Sequence, residues 1–426
     1  MEMAIVLMKC YMLFTIAVLA IYTARHFIFT INRLFGKQRI YYHDIIDSDL
    51  RPVTILIPMH NEEAVCRDIL ERMLLIDYDF KKFEVIPIND FSEDKTKDIL
   101  EEYAAKHPDV IKPLHRYAGE RGKPAALNEA LQKARGDIII IFDADYLPPR
   151  GIIKNIAVCF NDPEVGAVMG RVIPVNTRVN ILTQLLDLER SGGYQVDQQA
   201  RWNMRLVPQY GGTVGGFLRQ VVLDLGSFNV KMLAEDTELT FRLTLNGWKV
   251  AYANRAECYE EAPESWAVRA RQIRRWSRGH NDVMFKYLLP LLRSDYISGR
   301  EKADAILLAG VYVVPAILLS CMVVSMALFF LGEMEIFAGV FFLIFIGVYN
   351  TFGNFAPFYQ VGTGCLLDGM KQRTLLIPFL LFNFYFYMWY TSRGFADALL
   401  DRLTRRRTIW QKTARFRAKT EEQKSS

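Results

Sequence analysis

The chain of 426 residues has room for one large catalytic domain and several membrane spans. A formal net charge of +5 is too small to indicate a nucleic-acid partner, and the basic residues form no stripe interleaved with aromatic side chains. The six cysteines include no CxxC pair, which argues against a zinc site or a disulfide framework and is typical of a reducing compartment such as the cytosol.

Residues 1–31 form an apolar N-terminal segment. Residues 4–24 alone reach the roughly 20 residues that a helix needs to cross a bilayer. The segment is long for a signal-peptide core and no small-residue cleavage site follows it, so we expect a retained transmembrane anchor. The basic stretch at 33–39 predicts that the domain after the anchor lies in the cytosol.

Short apolar runs alternate with helical stretches over residues 52–296. The predicted strands cover 54–58, 83–88, 111–115 and 137–142, and the predicted helices between them cover 62–76, 95–107 and 124–134. This alternation is typical of βαβ units. We therefore expect an α/β domain with a Rossmann-like, mostly parallel sheet, in which ligands bind beyond the carboxyl ends of the strands.

Polar side chains follow these predicted strands. Glu62 comes after the first strand, and Asn89 and Asp90 come after the second. Lys123 in GERGKPAALN stands at a predicted helix start, where a cation and free N–H groups suit a diphosphate. A plain helix entry explains Lys123 equally well.

Asp143 and Asp145 follow a strand of four isoleucines. Alternate residues of an extended chain point to the same side, so both carboxylates can face one site. Mg²⁺ commonly takes one or two carboxylates plus substrate phosphates, and it would neutralise a diphosphate leaving group. The alternative interpretation is a solvated turn.

Glu235 and Asp236 open a predicted helix in AEDTELTFRL, where acidic side chains gain from the helix dipole. The functional alternative to such capping is a general base. Sugar transfer with inversion needs a carboxylate that removes a proton from the attacking hydroxyl. Asp236 is the candidate for this base, with Glu235 as a supporting acid.

Gln272, Arg275 and Trp276 lie three and four positions apart in RARQIRRWSRGH and so share one helical face. Residues 269–292 are amphipathic, which is typical of a helix along a membrane face with a tryptophan anchor. The functional alternative assigns Arg275 to a departing diphosphate and Trp276 to stacking on an acceptor sugar.

The C-terminal third, residues 304–400, predicts about three transmembrane helices, at 305–331, 336–357 and 375–390, followed by a basic polar tail at 401–426. One anchor plus three spans would place this tail outside, whereas the positive-inside tendency places it inside. Either one hydrophobic stretch is interfacial or re-entrant, with 362–373 amphipathic enough for this, or the tail is an exception.

Taken together, these motifs resemble those of the membrane-bound branch of glycosyltransferase family 2, which includes cellulose, hyaluronan, chitin-oligosaccharide and poly-N-acetylglucosamine synthases. The resemblance covers about residues 52–289 and is carried by TILIPMHNEE, IPINDFSED, GKPAALN, FDADYLPP, GGTVGGF, AEDTELTFRL and QIRRW. It implies a GT-A fold, a nucleotide diphosphate sugar donor that is usually uridine-linked, and Mg²⁺ or Mn²⁺ as cofactor.

The resemblance also implies roles for individual residues. It assigns the metal to Asp143 and Asp145, the catalytic base to Asp236, the acceptor and diphosphate to Gln272, Arg275 and Trp276, and the nucleotide sugar to Glu62, Asn89, Asp90, Lys123 and Asp143. This chain departs from the family pattern DDG, because Asn89 replaces the first acid and Phe91 replaces the glycine. Asp90 is then left to carry the base or ribose contact alone.

We therefore expect a processive, inverting β-glycosyltransferase, a metal-dependent hexosyltransferase, in the plasma membrane with several spans and a cytosolic catalytic domain. It would transfer sugar from UDP-N-acetylglucosamine or UDP-glucose to a growing polysaccharide and pass the product across the membrane. The expected partners are the sugar donor, the polysaccharide, the lipid bilayer and accessory membrane or export subunits. The alternatives are an enzyme that adds a single sugar to a lipid acceptor, and an inactive membrane scaffold that binds a nucleotide or a polysaccharide.

Overall fold

The computed structural model describes residues 1–39, 50–333 and 355–404. Within these ranges, seven strands form one sheet in the order β3-β2-β1-β4-β6-β5-β7. The strands are β1 Val53–Met59, β2 Phe83–Asp90, β3 Leu114–Arg116, β4 Ile138–Ile141, β5 Val165–Pro174, β6 Gly215–Leu218 and β7 Lys249–Glu260. Strand β6 is antiparallel to both β4 and β5, while every other neighbouring pair is parallel. The predicted α/β domain with a mostly parallel sheet is confirmed.

The helices of the described chain fall into an N-terminal helix, those around the sheet, and a C-terminal group. They are α1 Glu2–Phe35, α2 Cys66–Leu74, α3 Thr96–Lys106, α4 Lys123–Lys133, α5 Ile152–Ala157, α6 Ile181–Ser191, α7 Gln199–Asn203, α8 Arg219–Asp224, α9 Glu235–Leu245, α10 Trp266–Arg293, α11 Gly299–Gly310, α12 Val314–Phe330, α13 Ala356–Leu367 and α14 Leu380–Thr404. A π-helical turn, Gly192–Gln198, joins α6 to α7.

The sheet is buried on both faces because most positions of its central strands are apolar. Alternate side chains point to opposite faces, so Ile55 and Ile140 pack with α2, α3 and α5, whereas Leu56 and Ile139 pack with α4, α8 and α9. Covering helices on both sides leave the strand ends as the exposed edge of the sheet. Any ligand site of this domain therefore lies where those ends meet the loops.

The element boundaries differ most from the prediction at two places. Helix α2 begins at Cys66 rather than at 62, because the Glu62 carbonyl oxygen accepts from the backbone amides of Val65 and Cys66 and forms a turn first. The third strand starts at Leu114, and Ile111 forms only an isolated bridge to Val85. Both shifts leave the polar residues at the strand ends.

Among the described residues, one helix is long and apolar enough to cross a membrane, Glu2–Phe35, in agreement with the predicted anchor. The expected continuous span at 305–331 is broken. Helices Gly299–Gly310 and Val314–Phe330 meet at an angle of 65°. Only the two helices together are long and apolar enough to cross a membrane. The second helix has a proline in its first turn, a position from which a proline can start a helix but cannot continue one.

The other two expected spans are not confirmed. The span at 336–357 lies outside the described residues apart from its last three positions. In place of the span at 375–390, a 3₁₀ segment, Lys371–Phe379, leads into α14, which packs along α10. A set of several membrane spans is therefore not supported, and the tail beyond residue 404 is outside the described chain.

Helix α10 was expected to lie at a membrane face, and in the structure it is held between the sheet domain and α14. The Ser277 hydroxyl donates to the carbonyl oxygen of Thr391 at 2.7 Å, and Arg274 pairs with Asp397. A side chain at Gly394 would lie 2.5 Å from the Arg274 carbonyl oxygen, so the glycine allows the two backbones to approach closely. This packing fixes the orientation of the helix that carries QIRRW.

Candidate active site

A cleft of about 1040 Å³ lies at the carboxyl ends of β1, β2 and β4. Most of the residues singled out from the sequence line it: Glu62, Asp90, Lys123, Asp143, Asp145, Glu235, Asp236, Gln272, Arg275 and Trp276. They come from separate loops and helices that only the sheet brings together. The predicted motifs therefore share one site.

Asn89 is not part of this lining. Its side chain is fully buried, where its Nδ2 lies 3.2 Å from His115 Nδ1 and its Oδ1 accepts from the backbone N–H of Ser92 at 3.1 Å. Since these partners belong to strand β3 and to the loop after β2, Asn89 supports the fold beside the cleft. The expected contact with a nucleotide is not seen in its placement.

Asp90 does reach the cleft, but its carboxylate is already engaged by the protein. One oxygen pairs with the buried Arg116, and the other accepts from the backbone N–H of Gly122 at 2.9 Å. Phe91 adopts a left-handed conformation with φ 57°, and the guanidinium of Arg121 lies 4.6 Å from its ring centre. Arg121 thus lines the cleft beside Asp90, a position the sequence alone did not indicate.

Asp143 and Asp145 lie in the turn after β4. Lys123 Nζ donates to Asp143 Oδ1 at 2.6 Å, and the Asp143 backbone N–H donates to the Thr213 hydroxyl at 3.2 Å. Burial alone would lower the pKa of Lys123, but the carboxylates of Asp143 and Glu235 outweigh it and hold that pKa above its usual value. The lysine is therefore charged at neutral pH.

No group of three or more His, Cys, Asp or Glu side chains in the described part of the chain is arranged to hold a metal ion by itself. Asp143 and Asp145 still suit Mg²⁺ or Mn²⁺ as a pair, because these hard cations bind one or two carboxylates and complete their shell with substrate phosphates and water. The donor set therefore fits a cation that is held jointly with a phosphorylated ligand.

Asp236 lies in the first turn of α9 and faces the cleft. Its Oδ1 accepts from the Thr237 backbone N–H at 2.6 Å, so the capping contact expected of an acid at this position is present. Gly212, with φ 73°, passes close to the same carboxylate, and a side chain there would come within 3.2 Å of Asp236 Oδ2. The contact with the Thr237 N–H uses Oδ1, which leaves Oδ2 on the side of Gly212.

Glu235 is in a different electrostatic state from an ordinary surface acid. Burial and the neighbouring Asp236 raise the pKa of Glu235 to about 7, against the opposing effect of Lys123. Two adjacent carboxyl groups in a desolvated site disfavour double ionisation. Near neutral pH the Glu235 carboxyl is therefore protonated in part of the molecules.

Helix α10 presents the remaining predicted residues. Burial lowers the pKa of Arg275, and the nearby acids Glu235 and Asp236 counteract that effect. Gln272 Oε1 accepts from Arg269 at 2.9 Å, and the Arg269 guanidinium lies 5.2 Å from the centre of the Trp276 ring. One buried arginine thus organises both the glutamine and the tryptophan of QIRRW.

Two charged residues of the cleft, Arg190 and Glu260, belong to no motif recognised in the sequence. Glu260, at the end of β7, accepts from the Tyr146 hydroxyl at 2.7 Å and pairs with Arg190 at 2.5 Å. All three line the cleft. Tyr146 belongs to FDADYLPP, whereas Arg190 and Glu260 lie between the motifs, and the pairing of β7 with β5 brings Glu260 to the site.

A buried cluster of charges connects the N-terminal helix to the cleft. Asp197 accepts from Arg201 at 2.7 Å and also pairs with Arg25 of α1, while Arg201 pairs with Asp304 of α11. Asp197 and Arg201 themselves line the cleft. Helix α1 is therefore joined by an ion pair to residues that line the cleft.

Residues 51–279 match the model of the family described as glycosyltransferase like family 2. The chain belongs to this family. The predicted glycosyltransferase is thus confirmed at the level of the family, and the match contains every candidate residue named from the sequence.

Curated members of the family show how far the similarity extends. The probable glycosyltransferase YdaM of Bacillus subtilis is 35% identical over 244 residues, which cover 56% of this chain and 58% of that protein. The beta-monoglucosyldiacylglycerol synthase of Synechocystis is 32% identical over 232 residues, covering 53% and 47%, and the poly-beta-1,6-N-acetyl-D-glucosamine synthase of Staphylococcus aureus is 27% identical over 247 residues, covering 57% and 58%. The matches span about half of the length of these relatives.

A solved structure is similar over nearly the whole chain. The mannosyltransferase PcManGT from Pyrobaculum calidifontis, in complex with GDP-Man and Mn²⁺, has a TM-score of 0.62 at 19% identity, covering 93% of this chain and 99% of that one. At this identity the likeness concerns the fold, and it confirms the GT-A-like α/β architecture of the family.

Proposed function

We propose that this chain is a metal-dependent, inverting hexosyltransferase that moves a sugar from a nucleoside diphosphate sugar to a hydroxyl acceptor. The observation that carries the proposal is the convergence of Asp143, Asp236 and Arg275 on one cleft, although they belong to three different elements. The three groups supply the separate needs of glycosyl transfer, namely a cation site, a general base and a cation for the leaving diphosphate.

The diphosphate end of the donor lies between Lys123 and Arg275 in this proposal. Both side chains are cationic, and both are close to the carboxylates that would otherwise repel a phosphate. Asp143 and Asp145 would hold Mg²⁺ or Mn²⁺, which when bound neutralises charge on the departing diphosphate. Glu62, Asp90 and Arg121 line the adjoining part of the cleft, where the nucleoside would lie.

Asp236 acts as the base on the acceptor. Its Oδ2 takes the hydroxyl proton while the acceptor oxygen forms a bond to the anomeric carbon of the donor sugar. The bond from that carbon to the diphosphate oxygen breaks on the opposite face, and the nucleoside diphosphate leaves with the electron pair. Attack opposite to the leaving group inverts the anomeric centre, so an α-linked donor yields a β-linked product.

We assign UDP-N-acetylglucosamine or UDP-glucose as the donor and a growing polysaccharide as the acceptor. The similarity to the poly-N-acetylglucosamine synthase of Staphylococcus aureus supports this assignment. Helix α1 would anchor the enzyme in the plasma membrane with the sheet domain in the cytosol, because basic residues follow the helix. The polymer would leave across the membrane, with accessory membrane or export subunits as partners.

A second candidate function has the same chemistry and a different acceptor. The similarity to the beta-monoglucosyldiacylglycerol synthase of Synechocystis, at 32% identity, favours addition of a single sugar to a lipid hydroxyl. Such an enzyme needs one membrane anchor and no route for a polymer. Product size separates the two functions.

The test uses the full chain in membranes, incubated with Mn²⁺ and radiolabelled UDP-N-acetylglucosamine or UDP-glucose in separate reactions. We expect a polymeric product of high mass, which linkage-specific glycosidases then digest. A labelled lipid carrying one sugar would establish the second candidate instead. Absence of transfer and of donor hydrolysis with a full panel of nucleotide sugars would favour an inactive scaffold.

The substitution Asp236→Asn tests the assignment of the base. It keeps the size and the capping contact but removes the proton acceptor, so we expect transfer to fall by at least about 100-fold while UDP binding is retained. Asp224→Asn, at an exposed position on α8 outside the cleft, is the matched control. Full activity of Asp236→Asn would show that another group is the base.

A further inference from the structure

Thr237, the residue after the proposed base, lies at the centre of a chain of polar contacts. Its hydroxyl oxygen is 3.3 Å from Asp236 Oδ1, accepts from Gln209 Nε2 at 2.8 Å, and lies 3.0 Å from His280 Nδ1. The threonine is 3% exposed, so these three groups are its partners within the fold. Thr237 lies within AEDTELTFRL and His280 ends RARQIRRWSRGH, but the sequence patterns assigned a role to neither side chain.

The number of hydrogens that each group carries determines the direction of these hydrogen bonds. A hydroxyl has one hydrogen to donate and two lone pairs to accept with. Burial lowers the pKa of His280, so its ring is neutral near pH 7 and carries one hydrogen. If that hydrogen is on Nδ1, Thr237 accepts from both Gln209 and His280 and must direct its own hydrogen to Asp236. If it is on Nε2, the Thr237 hydrogen goes to His280 and Asp236 loses this contact.

We propose that His280 and Thr237 are positioning residues for Asp236, with His280 donating from Nδ1 to the Thr237 hydroxyl and the hydroxyl donating to Asp236 Oδ1. The inference rests on the proposed function, in which Asp236 is the base. Oδ1 then accepts two hydrogen bonds, from the backbone N–H and the side chain of Thr237. Its lone pairs are committed, and Oδ2 beside Gly212 is the oxygen left to receive the acceptor proton.

The position of His280 is set from two sides. It belongs to α10, the helix that carries QIRRW, so its backbone moves with Arg275 and Trp276. Its ring is stacked on Tyr312, with ring centres 4.3 Å apart and planes inclined by 9°. Tyr312 lies in the break between α11 and α12, where the apolar segment bends by 65°. The bend that interrupts the expected membrane span thus presents the aromatic ring that holds the histidine.

The hydrogen bonds from His280 to Thr237 and from Thr237 to Asp236 are called the relay below. Two pairs of substitutions test it through the reaction rates of the full-length enzyme. Thr237→Val keeps the shape and removes the hydroxyl, whereas Thr237→Ser restores it. We expect kcat to fall roughly ten-fold or more in Thr237→Val, as for loss of a hydrogen bond to a charged group, with little change in the KM for the UDP-sugar. Thr237→Ser should recover most of the loss.

Two substitutions at His280 distinguish a role in hydrogen bonding from a role in packing. His280→Phe keeps a ring against Tyr312 but has no donor, whereas His280→Asn loses the ring but places an amide N–H where Nδ1 was. The proposal predicts that His280→Asn retains the higher kcat. If His280 only fills space, His280→Phe will be the more active of the two, and the relay is wrong.

The measurements also separate failure of this inference from failure of the proposed function. UDP binding in the presence of Mn²⁺, followed by calorimetry, reports whether each variant is folded with an intact donor site. If Asp236→Asn is inactive while Thr237→Val and His280→Phe keep wild-type kcat, the base assignment stands and the relay is overturned. If Asp236→Asn is fully active, the proposed base itself is wrong.

Discussion

Lys123 Nζ lies 2.6 Å from Asp143 Oδ1, so the residue assigned to a diphosphate and the residue assigned to a cation are paired with each other. The pair joins the start of α4 to the turn after β4. A lysine in this position balances the charge of the aspartate and stands where the phosphates of a donor would meet a cation. The proposed donor site is therefore organised by an ion pair within the protein.

Replacing Lys123 with Gln should weaken binding of the donor more than it slows the chemical step. The variant keeps a hydrogen-bond donor but loses the charge that faces the diphosphate, so we expect the KM for the UDP-sugar to rise about ten-fold to 100-fold. Steady-state kinetics with UDP-N-acetylglucosamine or UDP-glucose measure this change. Lys133→Gln, at the exposed end of the same helix, is the control and should behave as wild type. An unchanged KM in Lys123→Gln would remove Lys123 from the donor site.

Gly212→Ala should reduce activity because it disturbs Asp236. The new methyl carbon would lie 3.1 Å from the Asp236 Cβ and 3.2 Å from its Oδ2, and alanine is strained at φ 73°. We expect kcat to fall roughly ten-fold or more, as for misplacement of a catalytic group. Gly151→Ala is the matched control, since a side chain there meets nothing within 4 Å. Equal kcat values in the two variants would contradict the close approach of the loop to the base.

Stability should depend on pH through Glu235. Burial and Asp236 raise its pKa to about 7 in the folded protein from 4.5, so the folded state holds a proton that the unfolded chain releases between these values. The free energy of unfolding therefore decreases as pH rises from about 4.5 to about 7. In Glu235→Gln this loss is removed, and the variant should be more stable than wild type above pH 7.

Thermal unfolding of the detergent-solubilised protein at several pH values between 5 and 8 measures that difference. Glu164→Gln, at an exposed position before β5, serves as the control and should follow the wild-type curve. A wild-type melting temperature that rises with pH across this window relative to Glu235→Gln would show that Glu235 is ionised in the fold and that the sign of the shift is wrong.

Arg25→Met should destabilise the whole protein even though Arg25 lies in the apolar N-terminal helix. The substitution leaves Asp197 with one of its two arginine partners inside the fold. Removing one member of a buried ion pair typically costs about 3–5 kcal/mol, so we expect a lower melting temperature and reduced transfer. Lys9 lies on the same helix as Arg25 and forms a half-exposed ion pair with Glu333. The substitution Lys9→Met breaks that pair and should have little effect. Similar behaviour of the two variants would mean that α1 is only an anchor.

The local patterns predicted much of the fold. Four isoleucines before Asp143 and the apolar runs at β1 and β2 predicted buried strands, because a strand covered on both faces is apolar at most positions. The helices between them were found within a few residues. The antiparallel β6, its neighbour β5 and the edge strand β7 could not be predicted, since pairing between strands distant in the chain leaves little local signal.

The C-terminal third was predicted less well for a related reason. An apolar stretch is compatible with a membrane span, a bent pair or a helix packed on its own protein, and its composition does not distinguish these. At 305–331 a proline in the first turn of α12 allowed the break, and at 380–404 the contacts with α10 determined the packing. Hydropathy records how apolar a segment is, whereas its neighbours decide what covers it.

The sequence by itself determined which candidate groups the chain carries and how each is placed locally: two aspartates after a buried strand, an acidic pair opening a helix, and Gln272, Arg275 and Trp276 on one helical face. These are short-range relations that the backbone periods of strand and helix impose. Only the tertiary structure decided which of the groups meet, because that depends on strand order and helix packing. It placed Asn89 outside the cleft lining, paired Lys123 with Asp143, and brought His280, stacked on Tyr312, to Thr237 beside Asp236.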